Sequence, residues 1–405
     1  MVIANALICD AHSQRQGDVR IHNGMIVEIG ETLTDDEMID GSGCYLLPGL
    51  VDTNIFLKDG QLNGKNLVSL ARYALAGGVS TVVLNSDVNP RIDNEITLEF
   101  VHQHRCTKEG AVIECSISAF NDAGALSNIA ILLKNGALAV STATVCDYNL
   151  ISRIAQYLQM THKPLFYKSV DKSLFESGVM ADGTNAAHLG LNGISPLSEI
   201  VHVASMIEVA RHFKIKIIFK SITEPRSVEL ISQARMSKID VECEVSLHHL
   251  LKNDSACMGY DSDAKIDPPL VSEEKRMFLI RSLQEGNIHS LSALHQPNSD
   301  IYKDITFNDA SFGTTSIGEY LPLCYTHLIK NEIITINRLI ELACKNPAHA
   351  VGMSKGVIET GVAADLILFN PNIMTQVAHH HSLYKNEILS GRVMMAIQGD
   401  EVTQF

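Results

Sequence analysis

The sequence predicts an α/β chain: a (β/α)8 barrel of the TIM type with a small composite β-sandwich domain drawn from both termini. Three observations predict it. Short apolar, β-branched runs recur from about residue 50 to about residue 300, as parallel strands buried on both faces must. Helical patterns alternate with them in about eight units, the number that closes a barrel. Strand-like runs without intervening helices stand at both chain ends. The expected division is residues 1–49 for the N-terminal part of the β domain, 50–349 for the barrel and 350–405 for the C-terminal part.

Val2–Cys9, Asp18–His22 and Met25–Ile29 read as short strands, with Asn23-Gly24 as a turn between the last two. Tyr45–Leu47 leads into Pro48-Gly49, after which strand and helix alternate. Thr81–Leu84, Val112–Ile117, Ala139–Ser141, Pro164–Lys168, Ile215–Lys220, Val241–Val245 and Ser290–Ala293 supply the buried runs. Asn94–His104, Ser198–His212, Ser227–Met236 and Ile336–Lys345 read as helices. Asp365–Phe369 and Met394–Gln398 return to the strand pattern, with Gly361 and Gly399-Asp400 as turns.

Composition narrows the function classes. The 405 residues are 46% hydrophobic, enough for a large core. A net charge of −14 argues against a nucleic-acid surface and against an anionic membrane face. No apolar run approaches the roughly 20 residues of a membrane span. The first ten residues lack the basic stretch of a secretory signal. Nine scattered cysteines, with no C-x-x-C pair, suit reduced thiols in a cytoplasm.

Chemistry-bearing motifs come next. Pro48-Gly49-Leu50-Val51-Asp52 opens the barrel. Ala187 to Pro196 reads Ala-His-Leu-Gly-Leu-Asn-Gly-Ile-Ser-Pro, and Cys243 to Leu250 reads Cys-Glu-Val-Ser-Leu-His-His-Leu. Lys265 to Leu270 reads Lys-Ile-Asp-Pro-Pro-Leu, and Asn346-Pro347-Ala348 and Gly361 to Leu366 follow. In this order the stretches resemble the dihydroorotases of the amidohydrolase superfamily, over residues 2 to 400 or so. The resemblance implies the metal-dependent hydrolase kind of barrel.

The family's zinc ligands do not carry over. Its first His-x-His falls on Asn54 and Phe56, and its bridging acid on Ala143. The His of its His-Cys-Glu-Asp motif falls on Lys168, that of its next strand on Ser221, and its catalytic Asp on Leu294. A hydrolytic zinc needs several imidazole or anionic ligands to bring its water to a pKa of about 7. None of these positions keeps one, so zinc is expected in the family and expected to be absent here, with no catalytic residue. The substrate grip departs as well. The carboxylate-binding Arg falls on Lys58, which loses the bidentate fork. Two Asn positions fall on Asp87 and Asp267, which add negative charge, and a second His falls on Asn298.

Several other chemistry-bearing groups remain. Lys168 and Lys58 either replace the zinc's positive charge, pairing with Asp52 or Asp87, or are solvated at the barrel mouth; a third reading makes Lys168 a nucleophile, against which stands the lack of a partnering base. His248 and His249 read as packing residues of a strand, pointing to opposite faces. His379-His380-His381 reads as a solvated loop without a nearby acid cluster. Cys243 reads as a buried strand thiol. The resemblance extends to an inactive, dihydroorotase-like branch whose members assemble with aspartate carbamoyltransferase. It implies a non-catalytic structural or regulatory partner of that enzyme in pyrimidine biosynthesis, as a homodimer or a larger complex. The alternative is a divergent amidohydrolase acting on another cyclic amide with an atypical or absent metal.

Overall fold

The computed structural model describes residues 1–143, 147–174 and 177–405. Eight parallel strands, β1 to β8, are hydrogen-bonded in sequence order: Leu50–Ile55, Val79–Leu84, Val112–Ser118, Ala139–Ala143, Leu165–Lys168, Ile217–Phe219, Val241–Ser246 and Ser290–Ser292. The ends of the row meet. The Phe56 amide donates to the His295 carbonyl at 2.9 Å, and the Ala293 amide to Asp52 Oδ2 at 2.6 Å. Strands such as Val79–Leu84 are buried at every residue, which explains the β-branched, apolar reading of Thr81–Leu84.

Local chemistry sets the helix starts. Asn63 accepts from the Asn66 amide ahead of Gly64–Ala76, and Asn94 from the Ile96 and Thr97 amides ahead of Glu95–Gln103. Asp147 caps Tyr148–Thr161 in the same way, and Pro225 opens Pro225–Met236. Asn94, expected inside its helix, is therefore its cap.

The terminal segments join in one eight-stranded sheet. The path runs through Glu401–Gln404, Ile388–Gln398, Asp365–Gln376, Tyr45–Pro48, Val2–Cys9, Gln14–His22 and Met25–Gly30, and Met38–Asp40 pairs with Val2–Cys9. The sheet closes over its own core of Ile3, Ile8, Val19, Ile26, Leu366 and Ile397. Its ends are tied by the Ile26 amide to the Val362 carbonyl at 2.9 Å and the Gly24 amide to Asp400 at 2.6 Å. The two C-terminal strands run longer than their apolar centres suggest, because pairing with each other continues past the buried stretch. His248 and His249 correct another expectation: they lie on the short helix Leu247–Leu251, not on a strand.

Candidate functional site

In barrels of this type the loops after the strands build the functional face. A cavity of about 550 Å³ opens there, lined among others by Phe56, Asp87, Ala143 and Lys168 from the ends of four strands. Asn85, Ser118, Ser141 and Thr142 give it polar walls. A larger cavity of about 750 Å³ lies at the opposite end, bordered by Pro48, Val112, Lys355 and Asp365 between barrel and sheet. The mouth is the better candidate, because the other cavity meets the strands where they begin.

Beneath the mouth, the barrel interior holds a closed polar network. Glu244, fully buried on β7, is satisfied on both oxygens. Its Oε1 accepts from Asn54 Nδ2 at 2.8 Å and Ser292 Oγ at 3.2 Å. Its Oε2 accepts from Thr53 Oγ1 at 3.1 Å and from the Lys220 ammonium. Lys220 also donates to the Thr53 carbonyl at 3.0 Å and lies 4.5 Å from the centre of the Phe166 ring. Asn54 gives a second hydrogen bond to Ser221 Oγ at 2.8 Å. Asp52 accepts from the Asn54 amide at 2.9 Å and the Ala293 amide. Desolvation by burial pushes its carboxyl up to about 7, against the pull of those two amides.

The six positions aligned with metal ligands divide by environment. Asn54 and Ser221 meet inside the network. Leu294 is buried in an apolar cluster with Met180, Leu191 and Ile266, against which Phe56 packs. Ala143 is exposed at the end of β4. Lys168 pairs with Asp267, Nζ to Oδ2 at 2.5 Å. That corrects the expected partners, since Asp52 is turned into the barrel wall and exposed Asp87 pairs with Arg91 at 3.4 Å. Lys58 is exposed and forms no ion pair among the described residues. Asn298 is buried and donates to the Phe312 carbonyl at 3.0 Å. Ser221 and Leu294 have φ of 52° and 44°, in the left-handed region that a leucine rarely adopts.

As donors, these positions offer one amide, one hydroxyl and one ammonium. The ammonium repels a cation, and the amide is already committed to Ser221 and Glu244. This set does not fit a zinc pair. Lys220 and Glu244 are what sequence reasoning missed. The signal was a lysine closing the apolar run of β6 and a glutamate inside that of β7, since a charge placed there must find a partner.

Three other groups have clear roles. His248 and His249 are fully buried, with burial lowering them to about 3 and about 4. His248 Nδ1 meets the Tyr384 hydroxyl at 2.9 Å, and His249 Nδ1 meets Ser246 Oγ at 2.7 Å, so both pack as expected. Burial pushes the Cys243 thiol well up, which makes it a poor nucleophile.

Residues 203–392 match the Amidohydrolase family. A dihydroorotase of Caldanaerobacter subterraneus subsp. tengcongensis is 31% identical over 381 residues, covering 92% of this chain and 88% of the relative. A dihydroorotase of Acetivibrio thermocellus is 29% identical over 403 residues, covering 96% and 94%. The L-hydantoinase (dihydropyrimidinase) of Arthrobacter aurescens superposes with a TM-score of 0.86 at 18% identity, over 100% of this chain and 95% of that one. No helix among the described residues is long and apolar enough to cross a membrane. With its sequential parallel barrel, its sheet from both termini and its likeness to dihydroorotases along nearly the whole length, the chain belongs to the amidohydrolase family, among its dihydroorotase-like members.

Proposed function

We propose that this chain is a non-catalytic dihydroorotase-like protein. It acts in the cytoplasm as a structural or regulatory partner of aspartate carbamoyltransferase in de novo pyrimidine biosynthesis, as a homodimer or within a larger complex. One observation carries this reading: the strand-tip positions that would hold and activate zinc carry Asn54, Phe56, Ala143, Lys168, Ser221 and Leu294. Beneath them, Glu244 is consumed by Lys220, Thr53, Asn54 and Ser292, so it keeps no oxygen free for a cation. The left-handed backbone at Ser221 and Leu294 supports it further. A strained tip is worth holding where it presents a working side chain, and here it presents a hydroxyl and an isobutyl group. The partner enters through the resemblance to the inactive branch.

A second reading is a divergent amidohydrolase of another cyclic amide. The polar-walled mouth cavity and the dihydroorotase relatives favour it. Two measurements separate the readings. Mixing with aspartate carbamoyltransferase should give a complex of defined mass, a change in that enzyme's activity, or both. Incubation with dihydroorotate and related cyclic amides should give no ring opening above the buffer rate. Measurable turnover would overturn the first reading, and so would the lack of both a complex and an activity change.

A further inference from the structure

We propose that Asp300, His380 and His381 form a binding site for a divalent transition metal of the zinc class, distinct from the strand-tip positions. The histidine run was expected to lack acids nearby, but the fold brings them from two other segments. Asp300 opens the short helix Asp300–Lys303 beyond β8, and Asp263 lies in the turn Ser262–Ala264. Asp300 Oδ1 stands 2.9 Å from His380 Nε2 and 3.2 Å from His381 Nε2, and one ligand atom from each residue lies within 4.8 Å of the others. Ligands held tetrahedrally at about 2.0–2.2 Å are roughly 3.4 Å apart, so the three need only small shifts to embrace an ion.

The hydrogen-bond logic points to a cation. His381 is 5% exposed, and its Nδ1 lies 3.1 Å from Asp263 Oδ1. When Nδ1 carries the ring proton it donates to that carboxylate, which leaves the Nε2 lone pair outward, the arrangement that orients metal-bound imidazoles. The lone pair then faces the Asp300 carboxylate at 3.2 Å, with Asp304 Oδ1 at 4.0 Å. Acceptors facing one another repel. A ring proton or a metal ion between them offsets that repulsion, and a metal ion also engages His380 as a third ligand. The frame is preset. The Thr315 amide donates to the His381 carbonyl at 3.0 Å. Buried Lys303 ties the carbonyls of Ser262 and Gly313 together at 2.5 and 2.8 Å. Asp300 and His380 are exposed, so an ion can enter from solvent.

The test uses the full chain, its affinity tag cleaved, stripped with a chelator and titrated with Co²⁺ and Zn²⁺ by calorimetry and by cobalt absorption. One equivalent should bind, with a d–d band of imidazole–carboxylate coordination. Asp300→Asn and His380→Ala, both surface changes, should weaken binding at least about tenfold while melting and circular dichroism stay as in the parent. Asp263→Asn should cost about 10–100-fold, as an orienting carboxylate does. The proposal falls if neither ion saturates, or if binding is unchanged in both surface variants. In the latter case the metal sits elsewhere, and only that result would also weigh against the non-catalytic reading. Loss of the metal in these variants, with dihydroorotate still untouched, supports both.

Discussion

Lys168 Nζ lies 2.5 Å from Asp267 Oδ2, so the two charges introduced where the family resemblance sets a metal ligand and a substrate contact neutralise each other. The added negative charge of Asp267 is thereby withdrawn from any incoming anion. Both side chains are about a third exposed, 29% and 33%, and pairs open to water contribute little. We predict that Lys168→Met and Asp267→Asn each change stability by less than about 1 kcal/mol. A double-mutant cycle in urea should return a small coupling. A coupling of several kcal/mol would mean that the pair is a structural clasp.

Lys220 and Glu244 are the opposite case, with side chains 6% and 0% exposed. Removing one partner of a buried pair leaves the other as an uncompensated charge, at about 3–5 kcal/mol. Lys220→Met should show that loss as a lowered denaturation midpoint. Lys220→Met with Glu244→Met should recover a large part of it, since an apolar pair of similar volume restores neutrality. If the double variant is as unstable as the single, the hydrogen bonds of Thr53, Asn54 and Ser292 matter more than the charge.

The barrel is legible in the sequence because strands buried on both faces tend to read as apolar, β-branched runs, and Thr81–Leu84 and Ile217–Phe219 do. The identities at Asn54, Phe56 and Leu294 are read directly from the sequence, and only the resemblance sets a metal-ligand pattern beside them. Long-range polar pairing is not legible. Lys168 and Asp267 are 99 residues apart, and nothing local tells the lysine to choose that acid over Asp52 or Asp87. The acids beside His380 and His381 were hidden for the same reason: Asp300 stands 80 residues before His380.

Acid should weaken this fold at a definite place. His289 sits between Arg235, Arg338 and Lys216, and burial first, then those cations, lowers it to about 3. Its Nδ1 accepts the Cys243 amide at 3.1 Å, a bond that a protonated ring cannot make. The unfolded chain holds this histidine near 6.5. Between about 3 and 6.5 the unfolded state therefore binds the extra proton, and the group's contribution, complete above 6.5, is lost as pH falls through that window. Asp52, raised to about 7, works the other way and gains as pH falls from there toward about 4. The difference between wild type and His289→Gln isolates the histidine. Its slope should be up to about 1.4 kcal/mol per pH unit between about pH 4 and 6, and flat above pH 7. Parallel pH profiles for the two proteins would refute the assignment.

Gly49 is the joint between the terminal sheet and the barrel, following strand Tyr45–Pro48 and preceding β1. Its amide donates to the Asp365 carbonyl at 2.9 Å, while Ser80 Oγ donates to Asp365 Oδ2 at 2.8 Å just beside it. A Cβ built on Gly49 would stand 2.5 Å from Ser80 Cβ and 2.6 Å from Asp365 Oδ1, and closer still to Ser80 Oγ. Only a residue without a side chain lets the first barrel strand cross the sheet this tightly. Gly49→Ala must push β1 or Asp365 aside, and overpacking of that kind costs about 1–3 kcal/mol. The expected readout is a lower melting temperature, partly restored by adding Ser80→Gly, which removes the nearest clashing atoms. A variant that melts with the parent would show that sheet and barrel can slide at this joint.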